Sequence, residues 1–160
     1  MLFLVLGTQK FQLNRLLAMV DAYIADGSIN TEVVAQIGHS DYEPKHFKFF
    51  RFLDKAQFEA YMEAADIVIT HSGVGSIISA IHKKKVVIVF PRIAKYKEHV
   101  DDHQTEIARA FAKKGYVLCC GENDNLLELI ETSKSYSFQP YISQTDNIVN
   151  IINTYISNPS

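Results

Sequence analysis

The chain has 160 residues, 48% hydrophobic and 21% charged, which is the composition of about one folded domain rather than a disordered segment. A formal net charge of −2 gives no general attraction to nucleic acid, and the adjacent Cys119 and Cys120 offer neither a disulfide framework nor a metal quartet. That cysteine usage fits a reducing compartment. Met1 to Leu6 is too short for a signal peptide, and no apolar run approaches the ~20 residues that span a bilayer.

Leu2 to Leu6 reads as a buried strand, followed by the polar turn Gly7-Thr8-Gln9. Phe11 to Ala25 then shows helical spacing through Leu13, Leu16, Leu17, Val20 and Ile24, closed by Gly27-Ser28. Thr31 to Ile37 predicts a strand ending at Gly38-His39-Ser40, and the aromatic run Phe47 to Leu53 predicts another. Lys55 to Ala65 is helical, with Phe58, Tyr61 and Met62 on one side. Asp66 to Thr70 is short, apolar and β-branched, as suits a strand buried on both faces. His71 to Gly75 breaks the pattern with two glycines, and helical spacing resumes from Ser76 through Ile77, Ile78, Ala80 and Ile81. Lys83-Lys84-Lys85 stands at that helix end, where the dipole favours cations. A membrane or acidic-partner role is the alternative for these lysines.

Val86 to Phe90 is a buried strand stopped by Pro91, and Arg92 to Asp102 is long, charged and turn-like, with Arg92, Lys95 and Lys97 read as a solvated basic loop and recognition of an anionic ring carboxylate as the alternative. A helix from His103 to Lys114 stops at Gly115. Tyr116 to Cys120 predicts a strand and Asn123 to Thr132 a helix. Lys134 to Asp146 is irregular. Asn147 to Ile156 carries Ile148, Val149, Ile151, Ile152, Tyr155 and Ile156 on one helical stripe.

Strands alternating with helices imply an α/β fold: a doubly wound, parallel, Rossmann-like sheet whose ligands bind at the carboxyl ends of the strands. Both glycine turns and the Pro91 to Asp102 loop fall at that edge. A strand, a glycine turn and a helix N-terminus together present free N–H groups to an anion, and Ser76 either caps the helix or donates to a phosphate oxygen. An ordinary strand-to-helix connection is the bland alternative. The chain carries no G-x-G-x-x-G after its first strand, no Walker A motif and no G-x-S-x-G elbow. Instead Thr8, Gln9, His71, Ser72, Ser76, Glu98, His99, Asp101, Asp102, His103 and Gln104 offer hydroxyls, amides, imidazoles and carboxylates suited to a hydroxyl-rich ligand with a phosphate. His99 and His103 with the aspartates between them also admit a metal reading, and Asp101 or Asp102 a plain helix cap.

Gly7-Thr8-Gln9, Phe52-Leu53, Ala65 to Ser76, Val89-Phe90-Pro91 and Asp102 to Ala108, in that order and spacing, resemble the nucleotide-sugar-binding half of a GT-B glycosyltransferase. The likeness is to the family 28 C-terminal type. It is narrower still to the small catalytic subunit of two-part UDP-sugar transferases, as in dolichol-linked oligosaccharide synthesis. Glu98-His99-Val100-Asp101-Asp102-His103-Gln104 is similar to a string of bacterial relatives in capsule and exopolysaccharide assembly. A weaker likeness extends to the lipid-linked GlcNAc transferase of peptidoglycan synthesis. The resemblance implies that Gly7, Thr8 and Gln9 form the first diphosphate turn and that Phe52 and Leu53 meet the uracil, partly through backbone. It places His71, Ser72, Gly73, Gly75 and Ser76 in the second diphosphate turn, and His103 and Gln104 on the sugar hydroxyls. Glu98, Asp101, Asp102 and His103 are then the catalytic candidates. Relatives often carry a ribose-binding acid where this chain has Ser79, so Glu106 is an alternative for that task.

Such a transferase needs no metal or other cofactor, since helix-end N–H groups stabilise the leaving diphosphate. The chain begins at the strand that opens the donor half, which predicts residues 1–160 as one donor-binding domain with the acceptor domain elsewhere. The expected partner is a membrane-anchored, acceptor-binding subunit that holds a lipid-linked saccharide, with the complex peripheral at the cytoplasmic face. Residues 146–160 are the predicted docking helix, with packing on the chain's own sheet as the alternative. Two other functions compete: a non-catalytic nucleotide-sugar-binding or regulatory subunit, and a stand-alone UDP-sugar epimerase or hydrolase.

Overall fold

The computed structural model describes residues 1–140; the stripe within 146–160 lies outside the described residues. In chain order come β1 (Leu2–Val5), α1 (Asn14–Ala25), β2 (Val33–Gln36), β3 (Lys48–Phe50), α2 (Lys55–Ala64) and β4 (Ile67–Thr70). They are followed by α3 (Val74–His82), β5 (Val86–Val89), a 3-10 turn (Ala94–Tyr96), α4 (His103–Lys113), β6 (Leu118–Cys119) and α5 (Leu126–Ser133). Among the described residues the strands form one sheet in the order β3-β2-β1-β4-β5-β6, every pairing parallel. The doubly wound, Rossmann-like sheet expected from the alternating pattern is therefore the fold. Strand order reverses between β1 and β4, which opens a crevice at their carboxyl ends.

Side chains of period two divide the core. Phe3, Val5, Val34, Val68, Val87 and Val89 pack with Met62 of α2, Ile77, Ala80 and Ile81 of α3, and Ala108 and Phe111 of α4. Leu2, Leu4, Val33, Ala35, Ile67, Ile69 and Ile88 pack with Leu16, Leu17 and Val20 of α1 and Leu126 and Ile130 of α5. Burial on both faces explains why these strands read as continuous apolar runs.

Several boundaries differ from the sequence expectation. Helix α1 starts at Asn14, not Phe11, because Phe11 stacks on His99 at 4.4 Å and the Leu13 N–H donates to Ser40 Oγ at 3.0 Å. Helix α3 starts earlier, at Val74, with Gly73 as its N-cap, so Ser76 stands inside the first turn and does not cap it. Helix α5 starts at Leu126, where the Asn125 side chain accepts from Glu128 N–H. The edge strands β3 and β6 shrink to three and two residues. The lysine run is tied to α2 as well as to the helix end: Lys83 lies 2.8 Å from Glu59, and Lys85 donates to the Glu63 carbonyl at 2.7 Å.

Parallel neighbours β2 and β3 are joined across residues 37–47 without a helix. One buried carboxylate replaces it. Asp21 of α1 accepts from Tyr42 Oη at 2.7 Å, His46 N–H at 2.8 Å and Lys45 N–H at 3.0 Å, and lies 3.0 Å from His46 Nδ1. Burial pushes its carboxyl up, but these bonds outweigh burial and leave it below the ordinary carboxylate value. Among the described residues no helix is long and apolar enough to cross a membrane.

Candidate functional site

The turns after β1 and β4 meet at the crevice around one imidazole. His71 is 7% exposed and its ring lies against both Gly7 and Gly73. A Cβ at Gly7 would come within 2.5 Å of His71 Nε2, and one at Gly73 within 2.3 Å of His71 Cε1. Gly7 also holds φ +80, which side-chain-bearing residues rarely adopt. Burial, then the charges of Arg92 and His99, push His71 down to about 3, so the ring is neutral at physiological pH. His71 Nδ1 and Ser72 Oγ are buried with no hydrogen-bond partner among the described residues. Thr8 and Gln9 form the exposed tip of the first turn.

Beside this, α3 offers its N-terminus. The first intrahelical bond runs from Ile77 N–H to the Gly73 carbonyl at 3.0 Å, which leaves the N–H groups of Val74, Gly75 and Ser76 without helical acceptors. Open space fronts Gly75, and no cap bond is made by a side chain. The sequence-expected diphosphate residues Gly7, His71, Ser72, Gly73, Gly75 and Ser76 are thus brought together, with Thr8 and Gln9 at the rim.

The loop after β5 corrects two expectations. Arg92 is not solvated: it is 1% exposed, and its guanidinium donates to the carbonyls of Leu6 at 2.6 Å, Phe11 at 3.1 Å and Gln12 at 3.3 Å. Burial lowers it to about 10, and the Glu98 charge works in the opposite direction. Glu98 is not a free carboxylate near a reacting centre. It is fully buried, and Arg15 grips it with Nη2 at 2.9 Å and Nε at 3.1 Å from Oε1. An acid held this way cannot shuttle a proton to a substrate, so Glu98 leaves the catalytic set.

The remaining candidates gather at the start of α4. Asp101 accepts from His103 N–H at 3.0 Å and lies 3.4 Å from His99 Nδ1 and 3.9 Å from His103 Nε2. The 3.4 Å approach makes no hydrogen bond, so His99 Nδ1 is a further buried atom with no hydrogen-bond partner among the described residues. Asp102 holds the N-cap position of α4, yet its carboxylate accepts from Ala94 N–H at 2.8 Å instead of capping the helix. Gln104 is buried and its Oε1 accepts from Arg92 N–H at 3.1 Å, which commits the oxygen and leaves the amide NH2 to meet a ligand. Among the described residues no group of three or more His, Cys, Asp or Glu side chains is placed to hold a metal ion.

On the β2–β3 side, Phe52 is 50% exposed and stands edge-on to His39 at 5.2 Å, forming an aromatic ledge. The Leu53 N–H donates to Gln36 Oε1 at 2.9 Å, so the uracil contact expected through that backbone is restricted to its carbonyl. Glu106 is bound to His103 Nδ1 at 3.1 Å and lines a cleft with Ile93, Asp102, Thr105, Arg109 and Glu122. Neither Ser76 nor Ser79 lines that cleft.

The sequence profile described as "Glycosyltransferase family 28 C-terminal domain" matches residues 1–153, nearly the whole chain. The chain belongs to glycosyltransferase family 28. This family 28 chain is 28% identical over 125 residues to the mouse UDP-N-acetylglucosamine transferase subunit ALG13, covering 74% of its own length and 10% of the relative's. The Candida albicans protein of the same name is 35% identical over 80 residues, covering 50% of this chain and 24% of that one. The chain therefore spans a minor part of these relatives. Among solved structures, an NMR structure of ALG13 superposes with a TM-score of 0.61 at 19% identity, over 98% of this chain and 96% of that one. Acinetobacter baumannii MurG superposes at 0.55 and 15% identity, over 96% of this chain and 47% of that one. Both share the fold of this chain over nearly its whole length.

Sequence reasoning missed Arg92, Arg15, Gln36 and His39 as parts of this family 28 site. None of the four carries a local signal, because their roles depend on loops distant in sequence.

Proposed function

We propose that this chain is the UDP-sugar-binding, catalytic subunit of a two-part inverting glycosyltransferase that transfers a hexose unit to a lipid-linked saccharide. The observation that carries the reading is the meeting of the Gly7 and Gly73 turns around His71 beside the open N-terminus of α3. As the sugar–diphosphate bond breaks, negative charge grows on the leaving diphosphate. The N–H groups of the α3 first turn and the Ser76 hydroxyl are suited to receive it without a metal or other cofactor. Phe52 and His39 provide the base ledge, and the Gln104 amide and His103 ring the contacts to the sugar. With Glu98 locked by Arg15, the acid–base candidates on this chain are Asp101, Asp102 and His103. A base supplied by a membrane-anchored partner subunit completes the cleft from the acceptor side.

The names of the ALG13 relatives support N-acetylglucosamine as the transferred sugar. A capsular or exopolysaccharide acceptor rests on the Glu98 to Gln104 string alone. The complex would work at the cytoplasmic face of a membrane through its partner. The buried state of Glu98 favours one second reading, a donor-binding subunit whose partner supplies the whole acid–base chemistry.

The test is transfer from UDP-N-acetylglucosamine and other UDP-sugars by the purified complex with its lipid-linked acceptor. Ser76→Ala and His103→Ala should each lower the rate by more than about tenfold, or ~1.4 kcal/mol of transition-state stabilisation. Full activity in both variants would overturn the site assignment. Loss in Ser76→Ala with full activity in His103→Ala would favour the donor-binding reading.

A further inference from the structure

We infer that Arg92, from beneath the site, is the positioning residue that aims the Gly7 turn at the donor's diphosphate; this rests on the function proposed above. One guanidinium grips both ends of the turn. Nη2 bonds the Leu6 carbonyl at 2.6 Å before Gly7 and the Phe11 carbonyl at 3.1 Å after Lys10, and Nε bonds the Gln12 carbonyl at 3.3 Å. Thr8, Gln9 and Lys10 stand exposed between these anchors.

The grip has a directional consequence. In a trans peptide the C=O and the following N–H point in opposite directions. With the Leu6 carbonyl drawn down onto Arg92, the N–H of Gly7 points up and away from it, and no backbone acceptor takes that N–H among the described residues. The same holds for the Phe11 carbonyl and the N–H of Gln12. Arg92 thus turns the Leu6 and Phe11 carbonyls inward and leaves the N–H groups of Gly7 and Gln12 facing away from it, the polarity an anion requires, while the Leu13 N–H opposite the third carbonyl is taken by buried Ser40 Oγ.

Two further links make Arg92 a joint between parts of the cleft. Its own N–H donates to Gln104 Oε1 at 3.1 Å, which ties the sugar end of the cleft to the same residue. Arg15 and Arg92 share a single counter-charge, Glu98, leaving one positive charge in excess behind the turn. That charge adds to the attraction for a diphosphate.

Lysine can keep the charge of Arg92 but presents one ammonium where three carbonyls need a planar fork. The experiment compares the full chain, Arg92→Lys and Ile130→Val, a core variant at the amino-terminal end of the strands beside Leu2 and Ile67, by 15N relaxation of residues 7–12 and by calorimetric titration with UDP. The expected result is lower order parameters at residues 7–12 and UDP affinity reduced by tenfold or more in Arg92→Lys, with Ile130→Val unchanged in both. Wild-type order parameters at residues 7–12 in Arg92→Lys would overturn the inference. Equal loss of UDP affinity in Ile130→Val would also overturn it, since the effect would then be general destabilisation. A wild-type chain that fails to bind UDP, with order still lost in Arg92→Lys, would sink the proposed function and leave the positioning of the turn supported.

Discussion

His71 makes the stability of this domain depend on pH in a calculable way. Its ring is wedged between Gly7 and Gly73 at 7% exposure, and burial with the nearby Arg92 and His99 holds it near a pKa of about 3. In the unfolded chain the same imidazole titrates near 6.5. Between those values the unfolded state binds the extra proton, so stability is intact above about pH 6.5 and falls as pH drops toward 3, where the loss levels off. The slope approaches ~1.4 kcal/mol per pH unit, which amounts to about 2 kcal/mol at pH 5 and about 3 kcal/mol at pH 4. Urea denaturation of the wild type and of His71→Asn across pH 4–7.5 isolates the term, because the other titrating groups are common to both. The variant loses packing at pH 7, and the gap between the two proteins should narrow or reverse by about these amounts as pH falls. Parallel stability curves over the whole range would refute the assignment of a neutral, buried His71.

Three further outcomes follow from the same geometry. Gly73→Ala places a Cβ within 2.3 Å of His71 Cε1, so it should cost about 1–3 kcal/mol by overpacking and weaken UDP binding, read by denaturation and calorimetry. Glu98→Gln leaves Arg15 and Arg92 without their shared counter-charge and should destabilise the fold by roughly 3 kcal/mol; unchanged stability with lost turnover would restore Glu98 to the catalytic set. Asp21→Asn keeps the shape but loses charge-assisted bonds to Tyr42, Lys45 and His46, and should cost about 2 kcal/mol at pH 7 by urea denaturation.

The fold was legible because its determinants are local and repeated. Runs such as Ile67–Thr70 and Val86–Val89 are buried on both faces and bounded by glycine, proline or lysine, so strand and turn declare themselves within a few residues. The two glycine turns after β1 and β4 were legible for the same reason. What escaped was every interaction that closes over a long sequence separation. Arg92 reaches Leu6, Phe11 and Gln12, Arg15 reaches Glu98, and Gln36 reaches Leu53; nothing in the immediate neighbourhood of Arg92 or Glu98 distinguishes a buried strut from a solvated loop charge. Ser76 shows the limit from the other side. It has the chemistry of a cap, but Gly73 ends the extended backbone three residues earlier, and helix starts are set by backbone angles as much as by side chains.

The stitched connection between β2 and β3 sets a mechanical gradient across the cleft. The central strands β1 and β4 are covered on both faces and flanked by neighbours, whereas the three-residue β3 pairs on one side only. The loop before it is held by side-chain hydrogen bonds: to Asp21 and Asn14 of α1, from Leu13 N–H to Ser40 Oγ, and from Arg51 to the Ser40 carbonyl at 2.9 Å. Regions with few buried contacts open first, in units smaller than the whole domain. Among the strands and the loops that join them at the cleft, amide exchange should therefore be slowest under the two glycine turns and faster at the Phe52 ledge. The floor of the cleft is a rigid bearing, and the wall that would meet the base is the part that yields.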